Sequence, residues 1–514
     1  MILKDEIMVR HSRERPDKAA VVFEDKRFSF KEFNDRVNSL TQALMDLGVN
    51  KGDKIAIVAD NCHQYLEIGG TAVKGGMVVV PLNPNLSQRE LSYFINNSEA
   101  NTVIFSENHT HLINSLRGKL ENVENFIVIG KSGEGTKSYE DLIASYPAKE
   151  PQIQVKDEDL YILACTGGTT GLPKQVMVTY KSVVATMFGV LYLFNIRQED
   201  VCLQTMPLFW GVQMVWLLFS HLYMGCTIVI LKECTPGSIL KAIDKEKVTN
   251  SFLQTLLVPA LANNPDVSKY NYSSFRCLAV GGAPLPVEAW KQAIEVFGNV
   301  FSPIYGAVEF PSIAFLPPEE LTFEGLAGKA KGSSCGKEAL STELRIVDEQ
   351  GNDMPKCEVG EIIVRGKQMM AGYWKEPKAT EEAIRNGYFY TGDMGMMDEE
   401  GYLYLTGRKK DVIASQGKLI SPSEVEDIIY RHPSVLEAAV IGVPDEQLGE
   451  AIKAIIVLRP GAKAATKDII EFCGNYLPEH AIPKSVDFVA SLAKSAVGKI
   501  LRHELKEKYI QRTN

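Results

Sequence analysis

Several short blocks of this 514-residue sequence hold residue types that could handle phosphate, ribose and a reacting carboxylate. After the apolar run Leu160 to Ala164 comes Thr166-Gly167-Gly168-Thr169-Thr170-Gly171-Leu172-Pro173-Lys174. Its glycines let backbone N–H groups approach an anion, its hydroxyls add donors, and Lys174 adds a charge, which together make a phosphate cradle. It is not a Walker loop, which needs lysine directly after glycine and a following Ser or Thr, because Leu172 and Pro173 intervene. A mobile Gly/Thr turn is the plain alternative.

Gly281-Gly282-Ala283-Pro284-Leu285 follows one buried-strand pattern and Tyr305-Gly306-Ala307-Val308-Glu309 follows another. Ligands of open α/β sheets gather at strand ends, where Tyr305 could stack on a purine and Glu309 offers the hard oxygen that Mg²⁺ prefers. Further on, Tyr390-Thr391-Gly392-Asp393-Met394-Gly395 sets one carboxylate between glycines, suited to vicinal ribose hydroxyls, and Gly407-Arg408 could add a donor. Lys494-Ser495-Ala496-Val497-Gly498-Lys499-Ile500-Leu501-Arg502 places a lysine behind a glycine, where an amine can reach a developing anion. Each block alone is equally well a core tyrosine, a solvated glutamate or a charged surface turn.

The elements that must position these blocks alternate. Ile55 to Val58, Met77 to Val80, Thr102 to Phe105, Phe126 to Ile129, Thr227 to Ile230 and Cys277 to Val280 are β-branched runs fit for strands buried on both faces. Helical patterns such as Phe30 to Leu47 and Ser87 to Asn97 lie between them. From Thr342 onward Leu344 to Val347, Gly360 to Arg365 and Gly401 to Leu405 read as short strands of a small β subdomain. After Val412 a compact α/β unit follows: helix Ser423 to Tyr430, strands Ala438 to Ile441 and Ile452 to Leu458, and helix Lys467 to Leu477. The fold class is therefore α/β: a large N-terminal domain of layered α/β subdomains with a small β subdomain, then a small mobile α/β C-terminal domain. The boundaries are 1–407, a charged hinge at 408–411, and 412–514.

Composition narrows the function. With 45% hydrophobic and 23% charged residues and a net charge of −9, the chain is an ordinary globular protein of about three folding units. It lacks the excess of Lys and Arg that a nucleic-acid backbone demands. Its nine cysteines contain no Cys-x-x-Cys pair, which fits reduced thiols in a cytoplasm. His109 and His111 have no third ligand nearby and read as surface residues of the loop after Ser106-Glu107-Asn108. The start carries no secretory signal, and the apolar stretch Met214 to Gly225 is too short to cross a bilayer.

Taken together and in this order, the blocks resemble the adenylate-forming superfamily of acyl-CoA synthetases, adenylation domains and firefly-type luciferases. The likeness runs from Asp17-Lys18-Ala19-Ala20 through Gly52-Asp53-Lys54 and Pro81-Leu82-Asn83-Pro84 to Lys499-Ile500-Leu501-Arg502. It includes Gly360-Glu361-Ile362-Ile363-Val364-Arg365-Gly366, Gly372-Tyr373-Trp374 and Gly407 to Asp411, so it spans nearly the whole chain. The resemblance implies a carboxylate attacking the α-phosphate of Mg·ATP to give an acyl-adenylate and pyrophosphate, after which the thiol of coenzyme A displaces AMP. It implies Thr166, Thr169, Thr170 and Lys174 on the β- and γ-phosphates and Glu309 on Mg²⁺. Asp393 and Arg408 would hold ribose, while Tyr305, Gly306, Val308, Gly282 and Ala283 would frame the nucleotide. Lys499 would act at the attack itself, Lys410 would be the hinge residue, and Gly417 would line the pantetheine tunnel.

The sequence departs from the family pattern at several points. Gly167 stands for a frequent serine, Gln175 for glycine, Val308 for threonine, Trp210 for histidine and Ala493 for proline. No aspartate follows Trp210-Gly211-Val212-Gln213-Met214 to pair an ammonium group, so amino acids are disfavoured. The candidate pocket of Trp210, Gly211, Met214, Val215, Ile304 and Ala307 is apolar and suits a hydrophobic monocarboxylate: aryl, alicyclic or medium-chain fatty acid. The reading is an AMP-forming acyl-CoA ligase using ATP, Mg²⁺ and coenzyme A. A stand-alone enzyme that loads a carrier-protein thiol, luciferase-like oxygenation and a degenerate nucleotide-binding module are the alternatives. A homodimer is among the open assembly states.

Overall fold

The computed structural model describes residues 5–166, 173–211, 214–283, 285–323, 331–415, 418–445, 447–494 and 500–510. Two large sheets organise the N-terminal part. The first has nine strands in the order Lys337–Glu338, Ala314–Phe315, Phe301–Tyr305, Cys277–Gly281, Asn250–Gln254, Val201–Gln204, Thr227–Ile230, Ala19–Phe23, Lys26–Ser29. From Phe301–Tyr305 to Ala19–Phe23 every neighbouring pair is parallel. The second sheet has eight strands: Gly372–Tyr373, Gln175–Thr179, Leu160–Cys165, Val78–Leu82, Lys54–Val58, Ala100–Ser106, Asn125–Ile129 and Lys137–Ser138. Here Leu160–Cys165 runs parallel to Val78–Leu82, so Thr166 and the end of Lys54–Val58 emerge on one edge.

Between the sheets the helix Gln64–Gly75 is buried at every position, and one apolar core takes in Ile55 and Ile57 from one sheet and Ile228 and Ile230 from the other. Helix starts follow local chemistry. Ser29 with Glu32 and Ser87 with Glu90 form reciprocal capping boxes, which satisfy orphan N–H groups at the starts of Phe30–Asp46 and Gln88–Asn97.

Five antiparallel strands follow: Thr342–Val347, Gly360–Gly366, Ile384–Arg385, Tyr388–Met397 and Leu403–Arg408. The C-terminal unit is a second five-stranded sheet built around Val435–Asp445 and Gly449–Leu458 and covered by helices Pro422–Tyr430, Thr466–Gly474 and Arg502–Ile510.

Three segments differ in local structure from their plain sequence reading. Tyr390 to Gly395, which alone reads equally well as a charged surface turn, lies inside the strand Tyr388–Met397. The pairing jumps from Ile363↔Tyr390 to Glu361↔Met394, so Thr391, Gly392 and Asp393 bulge opposite Ile362, and Gly392 takes φ +69°. Gly407-Arg408 likewise reads as linker, but both residues end the strand Leu403–Arg408 and pair with Met394 and Asp393. Residues Glu107–His109 form a 3₁₀ turn rather than an open loop, with His109 Nε2 3.6 Å from Asp60. Among the described residues no His, Cys, Asp or Glu group of three or more could hold a metal. No helix among them is long and apolar enough to cross a membrane.

A buried polar network braces the first sheet. His221, fully buried, donates from Nδ1 to Leu217 O (2.8 Å) and accepts at Nε2 from Asn250 Nδ2 (3.3 Å), which fixes the neutral ring. Asn250 also donates to Asp200, and Arg276 pairs with the same carboxylate. Burial, outweighing the bond to Leu217 O, lowers the His221 pKa from 6.5 to about 4. The neutral ring therefore contributes stability that is fully present above pH 6.5 and is lost as pH falls toward 4. From pH 7 to pH 5 this group should remove about 2 kcal/mol, read from urea unfolding midpoints, and His221→Gln should lack that component.

Candidate active site

Carboxyl ends of parallel strands in the first sheet carry the loops that face the second sheet. Tyr305 ends the strand Phe301–Tyr305, and Gly306 follows where an added Cβ would lie 2.2 Å from Pro311 O. Glycine is required there, and the chain reverses at once: Ala307 N bonds Phe310 O (3.0 Å) and Phe310 N bonds Ala307 O (3.2 Å). Val308 and Glu309 thus stand at the tip of a rigid turn. Next to it Gly282, at φ +104°, opens onto free space, and Thr255 fastens Ala283 by donating to its carbonyl (2.7 Å) and accepting from its N–H (3.3 Å).

Two units meet at Asp393. Tyr305 Oη donates to its Oδ2 (2.6 Å), and Arg408 Nε pairs with its Oδ1 (2.7 Å). The bulge aims Asp393 at these partners: Thr391 Oγ1 donates to Ile362 O (2.8 Å) and accepts from Asp393 N (3.0 Å), while Arg408 also bonds Thr391 O (3.2 Å). Burial, reinforced by the Asp393 charge, holds the Tyr305 phenol well above its ordinary pKa, so it stays a donor.

A second cluster adjoins the first. Tyr373 Oη donates to Glu309 Oε1 (2.9 Å), and Lys174 Nζ lies 4.6 Å from the centroid of the Tyr373 ring. Burial and then the Glu309 charge raise the Tyr373 pKa, so its phenol stays a donor to Glu309. The neck of the Thr/Gly loop is closed, with Thr166 N bonded to Lys174 O (2.9 Å) and Lys174 N to Thr166 Oγ1 (3.1 Å). Contacts thus link Thr166, Lys174, Tyr373 and Glu309 in one cluster and Tyr305, Asp393 and Arg408 in another, joined through the turn after Tyr305: cations, hydroxyls and carboxylates of the kinds suited to a polyanion and a sugar. Thr169, Thr170, Lys499 and Gly417 lie outside the described residues, as does the side chain of Val215.

The expected apolar pocket is only partly assembled. Trp210, Ile304 and Ala307 are half-buried, and Ile304 and Ala307 pack against the first core. Met214 is fully buried, its sulfur 2.8 Å from where a Cβ on Gly69 would sit. Gly211, at φ +62°, serves close approach instead: an added Cβ would meet Pro81 and Ile162 of the second sheet at 2.7 and 2.8 Å.

Sequence reading missed Tyr373, Thr255 and Asn61 as positioning groups. Tyr373 stood in a quoted block without a role, while Thr255 and Asn61 carry no signal beyond following a strand. Asn61 bridges the sheets: its Nδ2 donates to Met206 O (3.1 Å) and Leu231 O (3.2 Å), and its Oδ1 accepts from Leu208 N (2.8 Å). That bridge sets the 3₁₀ turn Leu208–Trp210 against the second sheet.

Comparison with known proteins agrees with this geometry. A family model described as AMP-binding enzyme matches residues 8–374, and one described as AMP-binding enzyme C-terminal domain matches residues 424–499. The chain is similar to a long-chain-fatty-acid–CoA ligase of Bacillus subtilis strain 168, at 32% identity over 96% of this chain and 92% of the relative. A feruloyl-CoA synthase of Amycolatopsis sp. is 31% identical over 98% of both chains. The crystal structure of an anthranilate CoA ligase in complex with anthranoyl-AMP is similar with a TM-score of 0.91, at 26% identity over 99% of this chain and 98% of that one.

Asn61→Ala should leave the Leu208 N–H and two carbonyls short of partners. Urea unfolding is expected to show a loss of about 1–3 kcal/mol.

Proposed function

We infer the activity of this chain from the family to which it belongs, the AMP-binding enzymes: it is an AMP-forming acyl-CoA ligase, joining a carboxylic acid to coenzyme A with ATP. The observation that carries this is likeness over nearly the full length to CoA ligases of a fatty acid and of an aryl acid, at 32% and 31% identity. In the first half-reaction a carboxylate oxygen attacks the α-phosphorus, pyrophosphate leaves, and an acyl-adenylate forms. In the second the thiol sulfur attacks the acyl carbonyl carbon, the thiol proton is released, and AMP leaves with the electron pair of the broken C–O bond.

An anion must approach a polyanion, so catalysis is mainly neutralisation and positioning. We assign Thr166, Thr169, Thr170 and Lys174 to the phosphates, with the closed neck Thr166–Lys174 supporting that reading. Tyr305, Gly306, Val308, Gly282 and Ala283 frame the nucleotide, and Asp393 with Arg408 holds its ribose. Glu309 fits a magnesium ion, since Tyr373 occupies one oxygen in the structure and leaves the other as a hard donor, and such ions take one or two carboxylates with substrate phosphates. The ion would screen the phosphate charge.

Lys499 supplies a positive charge to the attack, Gly417 lines the thiol tunnel, and the C-terminal unit 412–514 turns on 1–407 through 408–411 at Lys410. Supporting this division, Lys409 is tied to Glu361 (3.0 Å) on one side and Asp411 faces Arg502 (3.9 Å) on the other. The acid is a hydrophobic monocarboxylate of aryl, alicyclic or medium-chain type, in keeping with the apolar Trp210, Ile304 and Ala307. The nine cysteines are free, in keeping with a reducing cytoplasm.

AMP release from ATP, Mg²⁺ and coenzyme A should depend on the acid across acetate, hexanoate, decanoate, benzoate and cyclohexanecarboxylate. Lys499→Ala should abolish acid-dependent pyrophosphate exchange yet keep thioester formation from a preformed adenylate; equal loss of both would overturn the two-conformation account. Tyr373→Phe, which frees Glu309, should lower adenylation by about 10–100-fold and raise the Mg²⁺ concentration needed, leaving the thioester step unchanged.

A further inference from the structure

Lys174 and Tyr373 meet beside Glu309, and each is followed at once by a residue of the second sheet's outer face. The register Gly372↔Met177 and Tyr373↔Val176 continues with Trp374 N donating to Gln175 O (2.8 Å). Side chains alternate across a sheet, so Val176 and Tyr373 enter the first core, while Met177 and Trp374 pack on the core that holds Leu91, Phe94 and Ile95 of the helix Gln88–Asn97. Gln175 shares that outer face and is only 2% exposed.

A closed circuit of hydrogen bonds joins three chain segments there. Asn97 Nδ2 donates to Gln175 Oε1 (2.8 Å), Trp374 Nε1 donates to Asn97 O (2.8 Å), and the backbone bond from Trp374 to Gln175 completes it. Asn97 ends its helix, where the last carbonyls have no partner within the helix, so the indole satisfies one of them. Lys54 Nζ lies 5.0 Å from the centroid of the Trp374 ring and adds a cation–π contact. Gln175 Nε2, in contrast, is buried with no partner among the described residues. A buried amide with an unpaired donor is a poor stabiliser, so the side chain is explained by what its oxygen holds.

The circuit stands one peptide from the chemistry. Lys174 precedes Gln175 and closes the neck with Thr166, while Tyr373 precedes Trp374 and donates to Glu309. Glycine, the family's residue at position 175, has no side chain to accept from Asn97, so the peg belongs to this chain. We propose that Gln175 is a positioning residue for adenylation: by pegging Asn97 and Trp374 it fixes Lys174 against Tyr373, and with them the cation and Glu309, at the phosphates of ATP. This rests on the ligase reading above.

Two variants break the peg from opposite ends. Gln175→Met keeps the volume and removes the acceptor, and Asn97→Ala removes the donor at a half-buried position. In acid-dependent pyrophosphate exchange each folded variant should raise the KM for Mg·ATP by about tenfold, with the KM for the acid unchanged. Thioester formation from a preformed adenylate, which involves no β- or γ-phosphate, should keep its native rate. The double variant should be no worse than either single one, because both remove the same bond. An unchanged KM for Mg·ATP in either folded variant, effects that multiply in the double variant, or equal loss of both half-reactions would overturn the positioning role while leaving the ligase reading intact. Absence of acid-dependent exchange in the native enzyme would overturn both.

Discussion

A single buried carboxylate sets the geometry of the cleft. Asp393 is 9% exposed, and a charge so placed is tolerated only when paired and hydrogen-bonded. Tyr305 arrives from the end of a strand of the first sheet, whereas Arg408 comes from the strand paired with Asp393 in its own sheet. Removing Tyr305 would take a buried donor from the carboxylate, a loss that commonly costs about 1–3 kcal/mol. The Tyr305 bond therefore ties the small β unit to the first sheet. That docking also presents Tyr373 to Glu309 and, through the ring of Tyr373, to Lys174.

The groups around Asp393 divide chemistry from support. Arg408 is substantially exposed and keeps donors for a ligand, while Tyr305, whose phenol burial holds protonated, is committed to the carboxylate. Glu309 shows the same division on a smaller scale, with Tyr373 on one oxygen. Gly306 makes this possible, because only a residue without Cβ lets the chain turn back so soon after Tyr305 and leave Glu309 at the tip. Val308 shares that tip and is half-buried against the core, so its branched side chain extends apolar surface where a hydroxyl would offer a hydrogen bond.

The sequence made the layers legible and blurred the connections. β-branched runs such as Ile55 to Val58 and the Ser-x-x-Glu starts at Ser29 and Ser87 are local signals with local causes, and the structure repeats them almost residue for residue. The chemistry-bearing blocks were legible too, since glycines beside Thr, Asp and Lys are unusual combinations. That Tyr390 to Gly395 lies in a strand was not legible, because its glycines serve a bulge and the pairing with Gly360–Gly366 and Leu403–Arg408, contacts distant in sequence, keeps that segment extended. Asn61 and Thr255 were illegible for a related reason: each acts through backbone groups brought near by the fold, and no pattern in their own neighbourhood announces it.

The same logic of anchored neighbours bears on the proposed rotation. Arg408 and Lys409 are fastened to the N-terminal part by Asp393 and Glu361, at 2.7 and 3.0 Å. One residue past Lys410, Asp411 faces Arg502, whose Nη2 lies 2.6 and 2.7 Å from the two oxygens of Glu426 in the C-terminal unit. Lys410 thus separates a residue tied to one unit from a residue tied to the other. A change of its backbone angles can swing the C-terminal unit without breaking either set of ion pairs, and hinges are commonly such short segments at element ends. Arg502 also closes the C-terminal lysine loop, just after Ile500 bridges back to Lys494. The pair with Glu426 therefore ties Arg502, just past that bridge, to the helix Pro422–Tyr430 of the C-terminal unit.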